Sequence, residues 1–113
     1  MKKIIIALFC SALPFAASAG GNIEKGKALA EKANCFACHG KDYNTPIDPS
    51  YPKLAGQHAD YLAHALTAYK RGDKGNGRAN AIMGGQVQSL SGQDIKDVAA
   101  YLHSLPGTLV LKR

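Results

Sequence analysis

The chain has 113 residues, 46% hydrophobic and 19% charged, with 14 Lys and Arg against 8 Asp and Glu, a net charge of +6. That length accommodates one small domain and excludes a multidomain enzyme carrying its own nucleotide-binding half. The apolar content is that of a folded globular chain and excludes wholesale disorder.

The N-terminus reads as a secretory signal. Lys2 and Lys3 form a basic start, Ile4 to Leu13 are almost continuously apolar, and Ala17-Ser18-Ala19 supplies the small-x-small pattern that signal peptidase needs. The apolar run is too short for a transmembrane helix, which takes about 20 such residues. Cys10 follows the bulky Phe9, which argues against a lipoprotein anchor, so this odd cysteine is expected to leave with the signal. Residues 1–19 are therefore expected to be removed, and residues 20–113 to form one domain in the periplasm.

In chain order, Asn22 is placed to cap a helix over 23–33, with Glu24 at its positive end. Ile23, Gly26 and Ala30 share one face, and two of the three are small, which suits close approach by another helix. Cys35-Phe36-Ala37-Cys38-His39-Gly40 follows at once. The next segment, Lys41 to Lys53, contains Pro46, Pro49 and Pro52 and reads as a loop. Gln57 to Lys70 is the second predicted helix, with Tyr61, Leu62, Ala65, Leu66 and Tyr69 in an amphipathic pattern and Gly72 as its stop. A glycine-rich loop is predicted from Asp73 to about Leu90, carrying Met83. Ser91-Gly92-Gln93-Asp94 reads as a capping box, followed by Ile95, Val98, Ala99 and Leu102 on one helical face and the stop Pro106-Gly107. No window sustains a period of two, so the predicted class is all-α with three main helices and long loops. Such an arrangement makes a poor core by itself. Residues 20–113 also hold one Phe and no Trp, so an additional apolar body is expected in the middle.

Cys35, Cys38 and His39 fall at i, i+3 and i+4, so one helical turn aims both sulfurs and the imidazole at a common object. Thiols at this spacing add across the two vinyl groups of a haem, and the adjacent histidine reaches the iron from the same side. A zinc site would require two more ligands at matching spacing, which His58 and His64 do not provide. A thioredoxin-like dithiol would need a βαβ pattern, and a disulfide here would close too small a loop to stabilise much. One covalently bound haem is therefore the expected cofactor, with His39 on its iron. Met83, the single methionine of residues 20–113, is favoured for the opposite axial position over His58, His64 and His103, which read as solvent-facing or hydrogen-bonded helix residues. A thioether ligand would raise the potential relative to two imidazoles. Gly72, Gly75 and Gly77 lack the strand and the Gly-Lys-Ser/Thr of a phosphate loop. Lys70, Arg71, Lys74 and Arg78 read as solubilising surface, with partner docking as the second reading; nucleic acid is not expected.

Taken together the chain resembles a class I c-type cytochrome of the short monohaem group, similar to cytochrome c553 and to a single domain of cytochrome c4. The residues that carry the likeness are Gly26, Cys35-Phe36-Ala37-Cys38-His39-Gly40, Pro52-Lys53-Leu54-Ala55-Gly56-Gln57 with Tyr61-Leu62, Met83, Leu90 to Ile95, Ala100-Tyr101-Leu102 and Leu105-Pro106. The resemblance implies the class I cytochrome c fold around one haem, with Cys35 and Cys38 as thioethers and His39 and Met83 as axial iron ligands. It further implies that Gly26 crosses Tyr101, that the Pro52 carbonyl accepts a hydrogen bond from His39, and that Leu54, Leu62 and Leu102 line the pocket with Pro52. The stretch Met83-Gly84-Gly85 is barer than the family pattern. The implied function is a periplasmic one-electron carrier, cycling between Fe(III) and Fe(II) in a respiratory or other redox chain rather than acting as an enzyme. Its partners would be redox proteins, acidic-surfaced ones among them, met as a monomer or weak dimer without a transmembrane anchor. Other readings are a five-coordinate haem enzyme or ligand sensor, and a haem subunit of a larger oxidoreductase.

Overall fold

Five helices succeed one another in the computed structural model, which describes residues 4–7 and 20–108: α1 (Ile23–Lys32), α2 (Cys35–His39), α3 (Ala59–Arg71), α4 (Ala81–Val87) and α5 (Gly92–Ser104). No strand occurs among the described residues, in line with the all-α expectation. The Ala17-Ser18-Ala19 pattern and residues 109–113 lie outside the described residues.

Local chemistry sets the helix starts. The Asn22 side chain accepts from the Lys25 backbone N–H at 2.9 Å. At α5 both halves of the capping box form: the Asp94 N–H donates to Ser91 Oγ at 3.1 Å and the Ser91 N–H donates to Asp94 Oδ2 at 2.9 Å. The second predicted helix begins two residues later than expected, because Gly56 (φ +74°) and Gln57 close a turn on Leu54 first. The Asp73–Leu90 segment is not a continuous loop: α4 interrupts it, with the Asn80 side chain accepting from the Met83 N–H at 2.9 Å. Gly84 and Gly85 hide this helix from the sequence, since each costs about 1 kcal/mol of helix propensity relative to Ala.

α1 lies against α5 with its backbone almost touching. A Cβ on Gly26 would stand 1.9 Å from the Asp97 carbonyl oxygen and 2.8 Å from Tyr101 Cβ, and one on Gly21 would stand 2.0 Å from the Lys96 carbonyl oxygen. Asp97 is buried beside this crossing. It accepts from the Asn22 backbone N–H at 2.7 Å and from Gln93 Nε2 at 3.0 Å, which together hold its carboxyl below the usual carboxylate range. Ile23 departs from its expected buried face and stays 49% exposed.

The main core joins Tyr43, Ala55, Leu62, Val98, Ala99 and Leu102, with Leu29, Phe36, Leu54, Leu66 and Tyr101 packed on it. A smaller cluster of Val87, Leu90 and Ile95 carries Met83 and Tyr69 at its margin. α3 packs on both α5 and α4. Lys70 Nζ donates to the Leu90 carbonyl and so ties the end of α3 to the segment behind α4. No described helix is long and apolar enough to cross a membrane.

Gly26→Ala is expected to lower the thermal unfolding midpoint sharply or to abolish accumulation, since backbone atoms cannot yield as a flexible side chain would; overpacking of this kind costs about 1–3 kcal/mol or more. Far-UV circular dichroism of the purified protein checks it. Asp97→Asn is expected to destabilise at neutral pH. Because the folded carboxyl titrates below its unfolded value of about 3.9, the wild-type advantage is present above that value and disappears as pH falls through the folded one. Denaturant unfolding of both proteins across that range measures the gap.

Candidate cofactor site

α2 is a single helical turn framed by two residues with positive φ. Asn34 (φ 53°) turns the chain out of α1, and its carbonyl accepts from the Ala37 N–H at 3.0 Å. Gly40 (φ +89°) ends the turn, and a Cβ there would stand 2.3 Å from the Thr45 carbonyl oxygen. The loop that follows folds straight back, with the Ile47 N–H donating to the Cys38 carbonyl at 3.0 Å. Asp42 braces it by accepting from the Asn44 and Thr45 N–H groups, both at 2.9 Å, and from Thr45 Oγ1 at 3.0 Å.

Tyr43 anchors the next stretch. It is buried, adopts φ 56°, and its carbonyl accepts from the N–H groups of Leu54 (2.8 Å) and Ala55 (3.2 Å). Its ring meets Tyr101 edge-on, 6.0 Å between centroids at 89°. This anchoring carries Pro52 to His39. The imidazole is buried, and its Nδ1 lies 2.9 Å from the Pro52 carbonyl oxygen. A carbonyl can only accept, so the proton belongs on Nδ1 and the lone pair on Nε2 is left for a metal.

Cys35 and Cys38 are free thiols, both partly buried. Burial pushes the Cys35 thiol pKa up, and the neighbouring Cys38 adds to the effect. Leu62 and Leu102 are buried in the main core and Leu54 packs against it. Pro52 is exposed and contributes through its carbonyl. Met83, reached from α4, packs on the second cluster and lies close to His39. Of the other histidines, His58 and His64 are exposed, and His103 Nδ1 is engaged with the Gln57 carbonyl at 2.6 Å.

Two thiols and an imidazole with an available Nε2 on one turn, backed by aliphatic side chains, form a donor set that fits a covalently attached haem. Among the described residues no group of three or more His, Cys, Asp or Glu could hold a metal ion by itself, so zinc lacks its further ligands. The sequence reading missed Tyr43, whose role rests on its main chain. It also missed the Asn80 cap, although an Asn three residues before Met83 is a recognisable helix start.

The sequence profile of the family described as Cytochrome c matches residues 23–106. The chain belongs to the cytochrome c family. Cytochrome c4 of Stutzerimonas stutzeri is 38% identical over 115 residues, covering 96% of this chain and 53% of that one. Cytochrome c-554(548) of Halomonas halodenitrificans is 46% identical over 70 residues, 62% of this chain and 82% of that one. Among solved structures, that of reduced recombinant cytochrome c4 from Pseudomonas stutzeri superposes with a TM-score of 0.68 at 40% identity, covering 79% of this chain and 48% of that one. The architecture is thus the class I cytochrome c fold, and the chain spans about half the length of the cytochrome c4 relatives.

Gly40→Ala is expected to cut the haem-to-protein ratio of the purified protein, because both the backbone conformation and the Thr45 contact oppose a side chain. Gly92→Ala, where nothing lies within 4 Å of the added methyl, is expected to leave that ratio unchanged. Absorbance at the haem band against total protein measures both.

Proposed function

We propose that residues 20–113 act in the periplasm as a carrier of single electrons holding one haem. The observation that carries this reading is His39: its Nδ1 is bound to the Pro52 carbonyl at 2.9 Å, its Nε2 is available, and it shares one turn with two free thiols. The bound haem supplies reversible one-electron exchange between ferric and ferrous iron. Cys35 and Cys38 would tether it as thioethers, which would prevent its loss outside the cell. His39 and Met83 would hold its iron. The Pro52 carbonyl keeps the His39 ring in one tautomer and orientation and raises its basicity as a ligand. Leu54, Leu62 and Leu102 exclude water from the pocket.

Holding of the iron by both His39 and Met83 would favour an electron carrier over an enzyme. The chain contains one Cys-x-x-Cys-His motif, and this supports a single haem where the cytochrome c4 relatives are about twice as long. Export rests on the predicted signal at residues 1–19. The partners would be donor and acceptor proteins of a respiratory or other redox chain, met through brief contacts by a monomer or weak dimer.

Wild-type protein is expected to be low-spin and to titrate as a one-electron couple. Met83→Ala is expected to become high-spin, to bind carbon monoxide when reduced, and to have a lower midpoint potential, since thioether ligation favours the ferrous state. Visible spectra with a redox titration test this. A wild-type protein that is already high-spin and binds carbon monoxide would overturn the carrier in favour of a five-coordinate site.

A further inference from the structure

α3 has two working faces. Leu62, Ala63, Leu66 and Tyr69 turn inward to the two clusters. Tyr61, His64, Ala65, Ala68 and Arg71, at i, i+3, i+4, i+7 and i+10, form the other face. The chain beyond α3 folds back over it. The Gly72 N–H and the Arg78 N–H both donate to the Ala68 carbonyl, at 3.1 Å and 2.9 Å. Gly77 permits the tight turn, since a Cβ there would stand 2.2 Å from the Gly72 carbonyl oxygen. The result is a groove of about 460 Å³ between α3 and the Asn76–Arg78 segment.

We propose that this groove docks an acidic surface segment of a redox partner protein. The partner's being a redox protein rests on the carrier reading above; the acidic chemistry rests on the groove. Arg71 and Arg78 line it together with His64, and no carboxylate does; the neighbouring Asp60 and Asp73 are not among its walls. The Arg78 guanidinium is held over two aromatic rings, 5.5 Å from the Tyr69 centroid and 6.0 Å from that of Tyr61. That cation–π placement removes much of the rotamer entropy an exposed arginine would lose on binding. Arginine forks pair with carboxylates in a bidentate way that lysine cannot match. Tyr61, half exposed, and the methyl groups of Ala65 and Ala68 add an apolar floor, and Tyr with Arg are the residue types that dominate binding energy at interfaces. The basic side chains of α1 are less available, being interspersed with Glu24 and Glu31, the latter paired with Lys27 at 4.0 Å. The extent of the groove suits a run of side chains better than a single ion.

The test uses the reduced, haem-loaded, ¹⁵N-labelled protein titrated with a hexaglutamate peptide at low salt. Saturable amide shifts are expected over Tyr61–Arg71 and Asn76–Arg78, fading as ionic strength rises. The double variant R71A/R78A should bind about fivefold more weakly, as for two exposed arginine–carboxylate pairs, while K27A should change binding less than twofold. Shifts spread over all lysines, or a double variant that binds like wild type, would overturn the proposal. So would inorganic phosphate competing as well as the peptide at equal concentration, which would make this a small-anion site. A moved midpoint potential in R78A would assign Arg78 to the cofactor and overturn it as well. The visible spectrum of the same sample reports haem ligation independently, so failure of the carrier reading is distinguishable from failure of the docking site.

Discussion

Two stretches of backbone press against each other where α1 crosses α5, and the geometry of the rest follows from that contact. Gly26 and Gly21 leave no atom between the main chains, and the buried Asp97 carboxylate completes the junction by accepting the Asn22 N–H. Helices brought this close hold their relative position within narrow limits, because dense packing leaves no slack for sliding. Only Ala33 and Asn34 separate α1 from α2, so the place of Cys35, Cys38 and His39 is inherited directly from the crossing.

The far side of the site depends on polar main-chain bonds rather than on apolar burial. The segment from Gly40 to Gly56 forms no helix, yet its backbone groups find partners. Tyr43 serves Leu54 and Ala55, Cys38 serves Ile47, and the Gly56 N–H reaches Leu102 on α5 at 3.0 Å. These bonds deliver one carbonyl, that of Pro52, to one nitrogen of His39. A loop built in this way is specific without a large core, which suits a small domain that reserves its apolar interior for a bound group.

The two sides of α3 divide the work of the molecule. The inward side completes both apolar clusters and faces the segment that bears Met83. The outward side has no apolar partner of its own and is covered by a short basic turn carrying Arg78.

The sequence by itself determined what depends on near neighbours: the Asn22 cap, the Ser91–Asp94 box, the i, i+3, i+4 placement of the two thiols and the imidazole, and the inward face of α5. Each involves residues within one or two turns, so the information is local. The Pro52 bond to His39 could be expected only from the family resemblance, since nothing within either segment refers to the other. α4 stayed hidden because two glycines erase its propensity, and its stability comes from Val87 packing on Leu90 and Ile95. Tyr61 and Ile23 fit buried patterns on paper but lie exposed, because amphipathic spacing defines a stripe and not its edges. The edges, the approach of Asn22 to Asp97 across 75 positions, and the fold-back of Arg78 were decided only by tertiary contacts. Whether a distant backbone covers a side chain is a property of the assembled molecule.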